Sequence, residues 1–268
     1  MKLIMAIFCF CFLLLGFSNT ENFKKEKAPP GTVRLNDSLF FDKTEVANVH
    51  WREFTQAWIL GIKHDSILYE QMMQDTLLLD SFYTNAMTPF SHYYHRHPSY
   101  NNYPVVGVSY EHAVAFCKWR SDRVNELYEK NPKLNPFPNK KYRYRLPTEG
   151  EWETAACGKL DVVQFPFGYT SMIDKKGRQM ANFKIDTVTN QRRYWLMLFS
   201  TLPIVTYYQN NNGCYNMIGN VSEMVSTKDI AKGGNFLLPL DSYQIKMEQH
   251  YTKPEAWLGF RCVCEIVN

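Results

Sequence analysis

The sequence predicts an α+β fold: one irregular domain with short strands, two clear helices and many turns. Hydrophobic residues make up 45% of the 268 residues and charged residues 21%, which indicates a packed core rather than disorder. Aromatic residues reach 15%, so rings can fill the core of a chain with little regular secondary structure. A length of 268 residues fits one domain of ordinary to large size.

The first 18 residues have the pattern of a signal peptide. A positive start (Met1, Lys2) precedes an apolar run over 3–15, and the small residues Gly16 and Ser18 follow. The run is too short for a comfortable membrane span, and no second candidate follows it. Residues 19–31, with Glu, Lys and two prolines, predict an exposed linker before a domain over 32–268. We expect an exported protein whose mature chain has no membrane span; a retained N-terminal anchor is the alternative.

Local signals predict the first elements. Residues 39–41 predict a strand, and Asn48 is expected to cap a helix that carries Trp51, Phe54 and Trp58. Residues 61–104 are rich in Tyr, His, Asn and Pro, so we expect mostly loop there with one short helix.

Later elements have stronger signals. Ser109 predicts the cap of a helix to about Glu129, and residues 142–146 predict a strand. Thr148 and Glu151 match a capping box at the start of another helix. The remainder is rich in Gly, Asn and Tyr and predicts short strands.

Charge and cysteine usage exclude two classes of function. The net charge of +4 is small and scattered, which argues against a nucleic-acid partner. Two of the seven cysteines lie in the signal segment, and the other five leave at least one thiol unpaired within the chain. None has CxxC spacing, so a structural zinc site is not expected.

Seven motifs occur in a fixed order over roughly residues 32–264. They are FDKTEVAN (41–48), YPVVGVS with the following Ala113 and CKW (103–119), RLPTEGEWE (145–153), ANF (181–183), GNVSE (219–223), KGGN (232–235) and GFRC (259–262). This series resembles the formylglycine-generating-enzyme, or sulfatase-modifying-factor, family. The resemblance implies an irregular α+β domain of the formylglycine-generating-enzyme fold, which is related to C-type lectins.

Three segments resemble one branch of that family in particular. Residues 97–100, 104–109 and 119–125 are similar to the gliding-motility lipoproteins J and K of Bacteroidota, which serve gliding and type IX secretion. This resemblance implies a protein of the periplasm or outer membrane of a Gram-negative bacterium. It also implies envelope protein partners, and a lectin-like fold allows a carbohydrate or peptide ligand.

The family's aerobic enzymes carry two cysteines after the KGGN-like motif, where the thiolates bind copper(I). The corresponding positions here hold Leu238 and Tyr243, so no copper is expected. We therefore expect a non-catalytic binding or scaffold protein. The alternative is a metal-dependent oxidoreductase with an altered site, like the sulfoxide synthases that share the fold. Its candidate ligands are the histidines and unpaired thiols His92, His95, His97, Cys157, Cys214 and Cys264.

The histidine cluster has a simpler interpretation as a polar loop, since no carboxylate lies nearby to complete a facial ligand set. Calcium is better supported, because Asn220, Glu223 and Asn182 resemble family calcium ligands and offer the oxygen donors that calcium prefers. The alternative is that Asn220 and Glu223 only hydrogen-bond the loop.

The resemblance also implies a disulfide between Cys117 and Cys262, which could stabilise the fold by about 3–5 kcal/mol. Charged residues in the motifs are expected to hold loops through charge-assisted hydrogen bonds rather than to act in catalysis. These residues are Arg145, Glu149, Glu151, Glu153 and Arg261.

Overall fold

A computed structural model describes residues 27–76, 93–184, 200–242 and 244–267. The predicted signal peptide and most of the predicted linker lie outside these ranges and stay predictions. The strands in the described part of the chain are β1 (Thr32–Arg34), β2 (Leu39–Asp42), β3 (Lys141–Arg145), β4 (Ser222–Met224), β5 (Ile230–Lys232), β6 (Gln249–His250), β7 (Leu258–Gly259) and β8 (Val263–Val267). The α-helices there are α1 (Asn48–Arg52), α2 (Ser66–Thr76), α3 (Tyr110–Lys130) and α4 (Glu149–Cys157).

The strands form two four-stranded sheets, and helices and turns connect them, as expected for an α+β fold. The first sheet has the order β1-β2-β8-β3 and is antiparallel throughout. The second has the order β6-β5-β4-β7, with β4 and β7 parallel. None of the helices in the described part of the chain has both the length and the apolar character of a membrane span.

Helix α3 is tied to the first sheet by side-chain hydrogen bonds. The Asn125 carboxamide donates to the Tyr142 carbonyl at 2.8 Å and accepts from the Tyr142 amide at 2.9 Å. Aromatic rings fill the core beneath the helix: Phe116 packs against Trp51, Phe54 and Phe260 with centroids 5.5–6.0 Å apart. This ring packing confirms the aromatic core that the composition predicts.

The start of the first helix differs from the prediction. Ala47, not Asn48, occupies the capping position. The Asn48 side chain is buried and donates to the carbonyls of Tyr94 (3.0 Å) and Tyr100 (3.1 Å), because these tertiary partners compete successfully with the local cap. Beyond α1 the chain continues as a π-helix, Glu53–Ile62, and wide turns of this type are frequent at functional sites.

The caps of α3 and α4 are confirmed. The Ser109 hydroxyl accepts from the His112 amide at 3.3 Å. The Thr148 hydroxyl accepts from the Glu151 amide while the Glu151 carboxylate accepts from the Thr148 amide, so the predicted capping box is complete. Both helices are therefore positioned by signals that lie within four residues of their first turn.

Candidate functional site

A buried ion pair joins the second sheet to the chain that enters β8. Glu223 is 1% exposed and Arg261 is fully buried. The Arg261 Nε donates to Glu223 Oε2 at 2.7 Å and Nη2 donates to Oε1 at 2.5 Å, a bidentate geometry. The Trp152 indole N–H also donates to Oε2 at 2.7 Å. Burying both charges costs free energy, and the bidentate geometry together with the additional hydrogen bond from Trp152 offsets that cost.

A second carboxylate, Glu45, lies on the other side of Arg261. Its Oε1 accepts from the carboxamides of Asn220 (2.8 Å) and Asn216 (3.1 Å), and its Oε2 lies 3.9 Å from the Arg261 guanidinium. Burial raises the pKa of Glu45 to about 7, against the opposing effect of Arg261. Glu45, Glu223 and Arg261 together are called the ion cluster below.

Sequence reasoning did not single out Glu45 or Asn216. The available signal was a glutamate immediately before the apolar pair Val46 and Ala47, a position where an unpaired charge would be costly. That pattern predicts a buried partner, but it does not identify which residue supplies it.

Asn220 connects the ion cluster to neighbouring loops. Its backbone adopts the left-handed region, with φ of 65°. Its Oδ1 accepts from the Leu202 amide at 2.8 Å and from the Asn182 carboxamide at 3.2 Å. The preceding Gly219 is required here, since a Cβ would lie 2.3 Å from the Asn182 carbonyl oxygen.

These contacts bear on the predicted calcium ligands Asn182, Asn220 and Glu223. Both carboxylate oxygens of Glu223 are engaged by Arg261, and Trp152 adds a third hydrogen bond. In this arrangement both oxygens of the Glu223 carboxylate accept hydrogen bonds from the protein, and calcium binding by Asn182, Asn220 and Glu223 stays a prediction. The hydrogen bonds that the alternative predicts for Asn220 and Glu223 are present.

The family resemblance predicts that Leu238 and Tyr243 stand where its aerobic enzymes carry two cysteines. Leu238 is half-buried against the apolar cluster that includes Trp152 and Met217. Its carbonyl accepts from the Lys184 amide at 2.9 Å. Tyr243 lies outside the described residues. The side chain at 238 thus contributes packing and has no atom suited to copper(I).

The histidine segment does not form a metal centre among the residues described. His95 is buried, its Nδ1 lies 3.1 Å from Asn48 Oδ1, and burial beside Arg52 and Arg96 lowers its pKa to about 3. His97 is exposed and accepts from the Ser99 amide at 3.2 Å, while His92 lies outside the described ranges. Across those ranges, no group of three His, Cys, Asp or Glu residues could hold a metal ion.

The structure brings Cys117 and Cys262 together. Their sulfurs are 3.4 Å apart and both residues are buried as thiols. The predicted disulfide therefore has its partners in contact, and its formation stays a prediction. Burial raises the pKa of Cys214 and of Cys264 to about 12, so neither has the character of a reactive thiolate.

The remaining charged motif residues form ion pairs, as predicted. Arg145 makes two hydrogen bonds to Glu151, at 2.8 and 2.7 Å. The fully buried Lys232 donates to Glu153 at 2.9 Å and lies 4.0 Å from Glu149. These contacts hold α4 against β3 and β5.

Comparison with known proteins places this geometry in a family. The model of the sulfatase-modifying factor enzyme 1-like domain matches residues 12–266. Formylglycine-generating enzyme from Mus musculus is 27% identical over 231 residues, covering 79% of this chain and 55% of that protein. The enzyme from Thermomonospora curvata is 32% identical over 198 residues, covering 61% and 56%. The chain thus spans about half the length of these relatives.

Two further relatives are informative. The inactive C-alpha-formylglycine-generating enzyme 2 of Mus musculus is 29% identical over 124 residues, covering 46% of this chain and 32% of that protein. Among solved structures, Treponema denticola variable protein 1 superposes with a TM-score of 0.51 at 16% identity, covering 89% of this chain and 92% of that one. This structural likeness supports the fold alone.

Proposed function

Because the chain belongs to the sulfatase-modifying factor enzyme 1-like family, we propose that it is a member without formylglycine-generating activity, a binding or scaffold protein of the cell envelope. The observation that carries the proposal is chemical. No cysteine occurs between Glu223 and Phe260, the stretch in which the family's aerobic enzymes resemble one another in carrying two. Leu238 stands at the first of these positions and Tyr243 at the second.

The framework of the domain supports a retained fold without the redox chemistry. All the hydrogen bonds of the ion cluster and of the α4 capping box described above are formed, so the motifs that resemble the family stabilise the fold of this chain. Copper(I) requires soft sulfur ligands, and neither leucine nor tyrosine supplies one. A family whose relatives include proteins named inactive is consistent with this separation of fold from activity.

The cellular setting belongs to the same proposal. The signal-peptide pattern at 1–18 supports export, and the segments at 97–100, 104–109 and 119–125 support a role alongside gliding motility or type IX secretion in the Bacteroidota envelope. Protein partners in the periplasm or at the outer membrane are what such a role requires. Fractionation of cells that express the full chain tests this part, and a cytoplasmic protein with an intact N-terminus would contradict it.

Activity is tested by incubating the purified protein with copper, oxygen and a sulfatase-derived peptide, and measuring formylglycine by mass spectrometry. The Thermomonospora curvata enzyme is the positive control. We expect no product from this protein at any copper concentration at which the control turns over. Formation of formylglycine at a rate comparable with the control would overturn the proposal. The double variant Leu238→Cys, Tyr243→Cys tests whether the two thiols alone separate the chain from its active relatives.

A further inference from the structure

A cleft of about 280 Å³ lies between the N-terminal segment, the turn after β2, the start of the π-helix and one face of α3. It is separate from the ligand positions that the family resemblance implies, since Asn182, Asn220, Glu223 and Leu238 do not line it. Its walls combine aromatic rings with charged groups. The charged and aromatic lining residues include Asp42, Glu53, Phe116, Trp119, Arg120 and Arg123. His50 and Glu45, the latter a member of the ion cluster, also line the cleft.

Arg120 is fully committed to the wall of the cleft. Its guanidinium makes two hydrogen bonds to Asp42, at 2.6 and 2.9 Å, and a third to the Pro30 carbonyl at 3.1 Å. It also stacks 4.2 Å from the centroid of the Tyr144 ring. The Asp42 carboxylate additionally accepts from the Cys262 amide at 2.9 Å. This pair is therefore neutralised and positioned by the fold, and it leaves no free charge for a ligand.

Arg123 is held differently. Its guanidinium stacks 3.9 Å from the Trp58 ring centroid, and Nη1 lies 2.5 Å from Glu126 Oε2. The Nε–H is buried and has no partner in the part of the chain that the structure describes. These contacts fix the plane of the guanidinium and occupy one side of it, while the edge formed by Nε and Nη2 stays without a hydrogen-bond acceptor among those residues. That edge has the two-donor geometry that matches a carboxylate.

The aromatic wall next to Arg123 supplies the rest of the recognition. Phe116 and Trp119 line the cleft, their ring centroids are 5.3 Å apart, and both residues are at least nine-tenths buried. The Trp119 indole N–H is also buried without a partner among the described residues. Glu53 also lines the cleft, and among the described residues its carboxylate has no hydrogen-bond or ion-pair partner. Such a surface suits an apolar body attached to an acceptor group rather than a highly charged ligand.

We infer that this cleft binds a carboxylate attached to an apolar body of about the size of one amino-acid residue. The carboxylate meets Arg123, and the body packs against Phe116 and Trp119. The C-terminal residue of a polypeptide and a free apolar acid share this chemistry. The inference builds on the proposed binding role, and the two can fail separately: formylglycine formation would overturn the role, whereas failure to bind carboxylates would overturn only this site.

Calorimetric titration with matched probes tests the inference on the mature chain. N-acetyl-L-phenylalanine is expected to bind, and its amide, which differs only in the loss of the carboxylate, is expected to bind at least about tenfold more weakly. The peptide Ala-Ala-Ala-Phe with a free C-terminus distinguishes the sources. Tighter binding than N-acetyl-L-phenylalanine supports a polypeptide C-terminus, and equal or weaker binding supports a free acid. Equal binding of acid and amide, or no binding of either, would overturn the site.

Variants locate the site. Arg123→Gln is expected to weaken binding of N-acetyl-L-phenylalanine by about tenfold to a hundredfold, the range for hydrogen bonds to a charged group. Arg123→Lys keeps the charge but loses the two-donor edge, so its affinity for N-acetyl-L-phenylalanine is expected to lie between those of the parent protein and Arg123→Gln. Arg143→Gln is the matched control, since Arg143 is an exposed arginine on β3 paired with Glu265 and does not line the cleft. Unchanged affinity in Arg123→Gln, or an equal loss in the control, would contradict the assignment.

A second variant keeps the test decisive if Arg123→Gln fails to fold. Glu53→Gln removes a negative charge from the lining of the cleft, so carboxylate binding is expected to tighten by about twofold to fivefold, because a repulsive like charge is lost. Weaker binding in this variant would overturn the proposed arrangement. Melting temperatures of all variants, measured in parallel, separate a local loss of affinity from a loss of fold.

Discussion

Two arginines of this domain, Arg261 and Arg123, differ in how many of their hydrogen-bond donors have partners. In the ion cluster, Arg261 is fully buried and its donors are taken up by Glu223, the Tyr215 carbonyl and the Asp42 carbonyl. In the cleft, Arg123 is fixed by Trp58 and Glu126 but keeps one edge without an acceptor among the described residues. The comparison shows that Arg261, which lies in a motif that resembles the family, uses its hydrogen-bond donors within the fold. Arg123, which also lies in the domain, has donors for which no acceptor is found among the described residues.

The largest expected effect comes from replacing each arginine by leucine. Arg261→Leu leaves Glu45 and Glu223 buried without their cation, so we expect a loss of about 3–5 kcal/mol in the free energy of unfolding. Arg123→Leu removes a partly exposed ion pair and a ring contact, and we expect a loss of about 1 kcal/mol. Urea denaturation at pH 7.5 measures both. Similar losses in the two variants would break the comparison.

The pH dependence sharpens the same prediction. Without Arg261, the cost of burying two carboxylates is relieved when they take up protons. The pKa of Glu45 is already raised to about 7 in the parent, so the folded state binds protons more tightly than the unfolded chain, and this contribution to stability is lost as pH rises through 7. We expect the deficit of Arg261→Leu to shrink as pH is lowered towards 5. A deficit that grows on acidification would contradict the account.

The next effect concerns the two facing thiols. In an oxidising compartment, which the predicted export implies, we expect Cys117 and Cys262 to form a disulfide that stabilises the fold by about 3–5 kcal/mol. Mass spectrometry of protein purified without reductant measures the loss of two hydrogens and identifies the linked peptides. The variant Cys117→Ser should unfold alike with and without reductant. Free thiols at both positions in the exported protein would show that the contact is only packing.

A smaller, pH-dependent effect is expected at His95. Burial near Arg52 and Arg96 lowers its pKa to about 3 from an ordinary value of 6.5. Between these two pKa values the imidazole is protonated in the unfolded chain but not in the folded state. The free energy of unfolding therefore decreases as pH falls from 6.5 towards 3, by about 2 kcal/mol at pH 5. His95→Gln should flatten this slope, whereas His97→Gln, at an exposed position, should not. Equal slopes in all three proteins would contradict a buried neutral imidazole.

The smallest effect tests local structure. Thr148→Ala removes the hydroxyl that accepts from the Glu151 amide, so we expect a loss of about 1 kcal/mol. Thr154→Ala, at an exposed position within the same helix, is the control and should change the free energy of unfolding by less. Thermal unfolding followed by circular dichroism distinguishes the two. A larger loss in the control would show that the capping box contributes little.

These regions also show what a single sequence can predict. The starts of α3 and α4 were predictable because Ser109 and Thr148 bond amides three residues away. The cap assigned to Asn48 was wrong because its carboxamide finds the Tyr94 carbonyl, 46 residues along the chain, a partner that no local pattern contains. Pairing in the ion cluster has the same origin, since Glu45 and Asn216 are 171 residues apart.

The candidate sites divide in the same way. The motifs predicted that Arg261 makes charge-assisted hydrogen bonds, but they did not predict that its guanidinium would bind both oxygens of Glu223. The cleft was not predictable at all, because it arises where the turn after β2, the π-helix and α3 meet. Only the fold shows that Arg123 pairs with Glu126 and that its Nε has no acceptor among the described residues.

Metal content tests the central claim, a family fold retained without the family's redox chemistry. The mature protein, purified without a His tag, is exposed to copper(I) and to iron, desalted and analysed by elemental mass spectrometry, with the Thermomonospora curvata enzyme treated in parallel. We predict copper and iron far below one equivalent in this protein and near-stoichiometric copper in the control. Near-stoichiometric copper or iron that remains bound after desalting would contradict the account and support the alternative, a metal-dependent oxidoreductase.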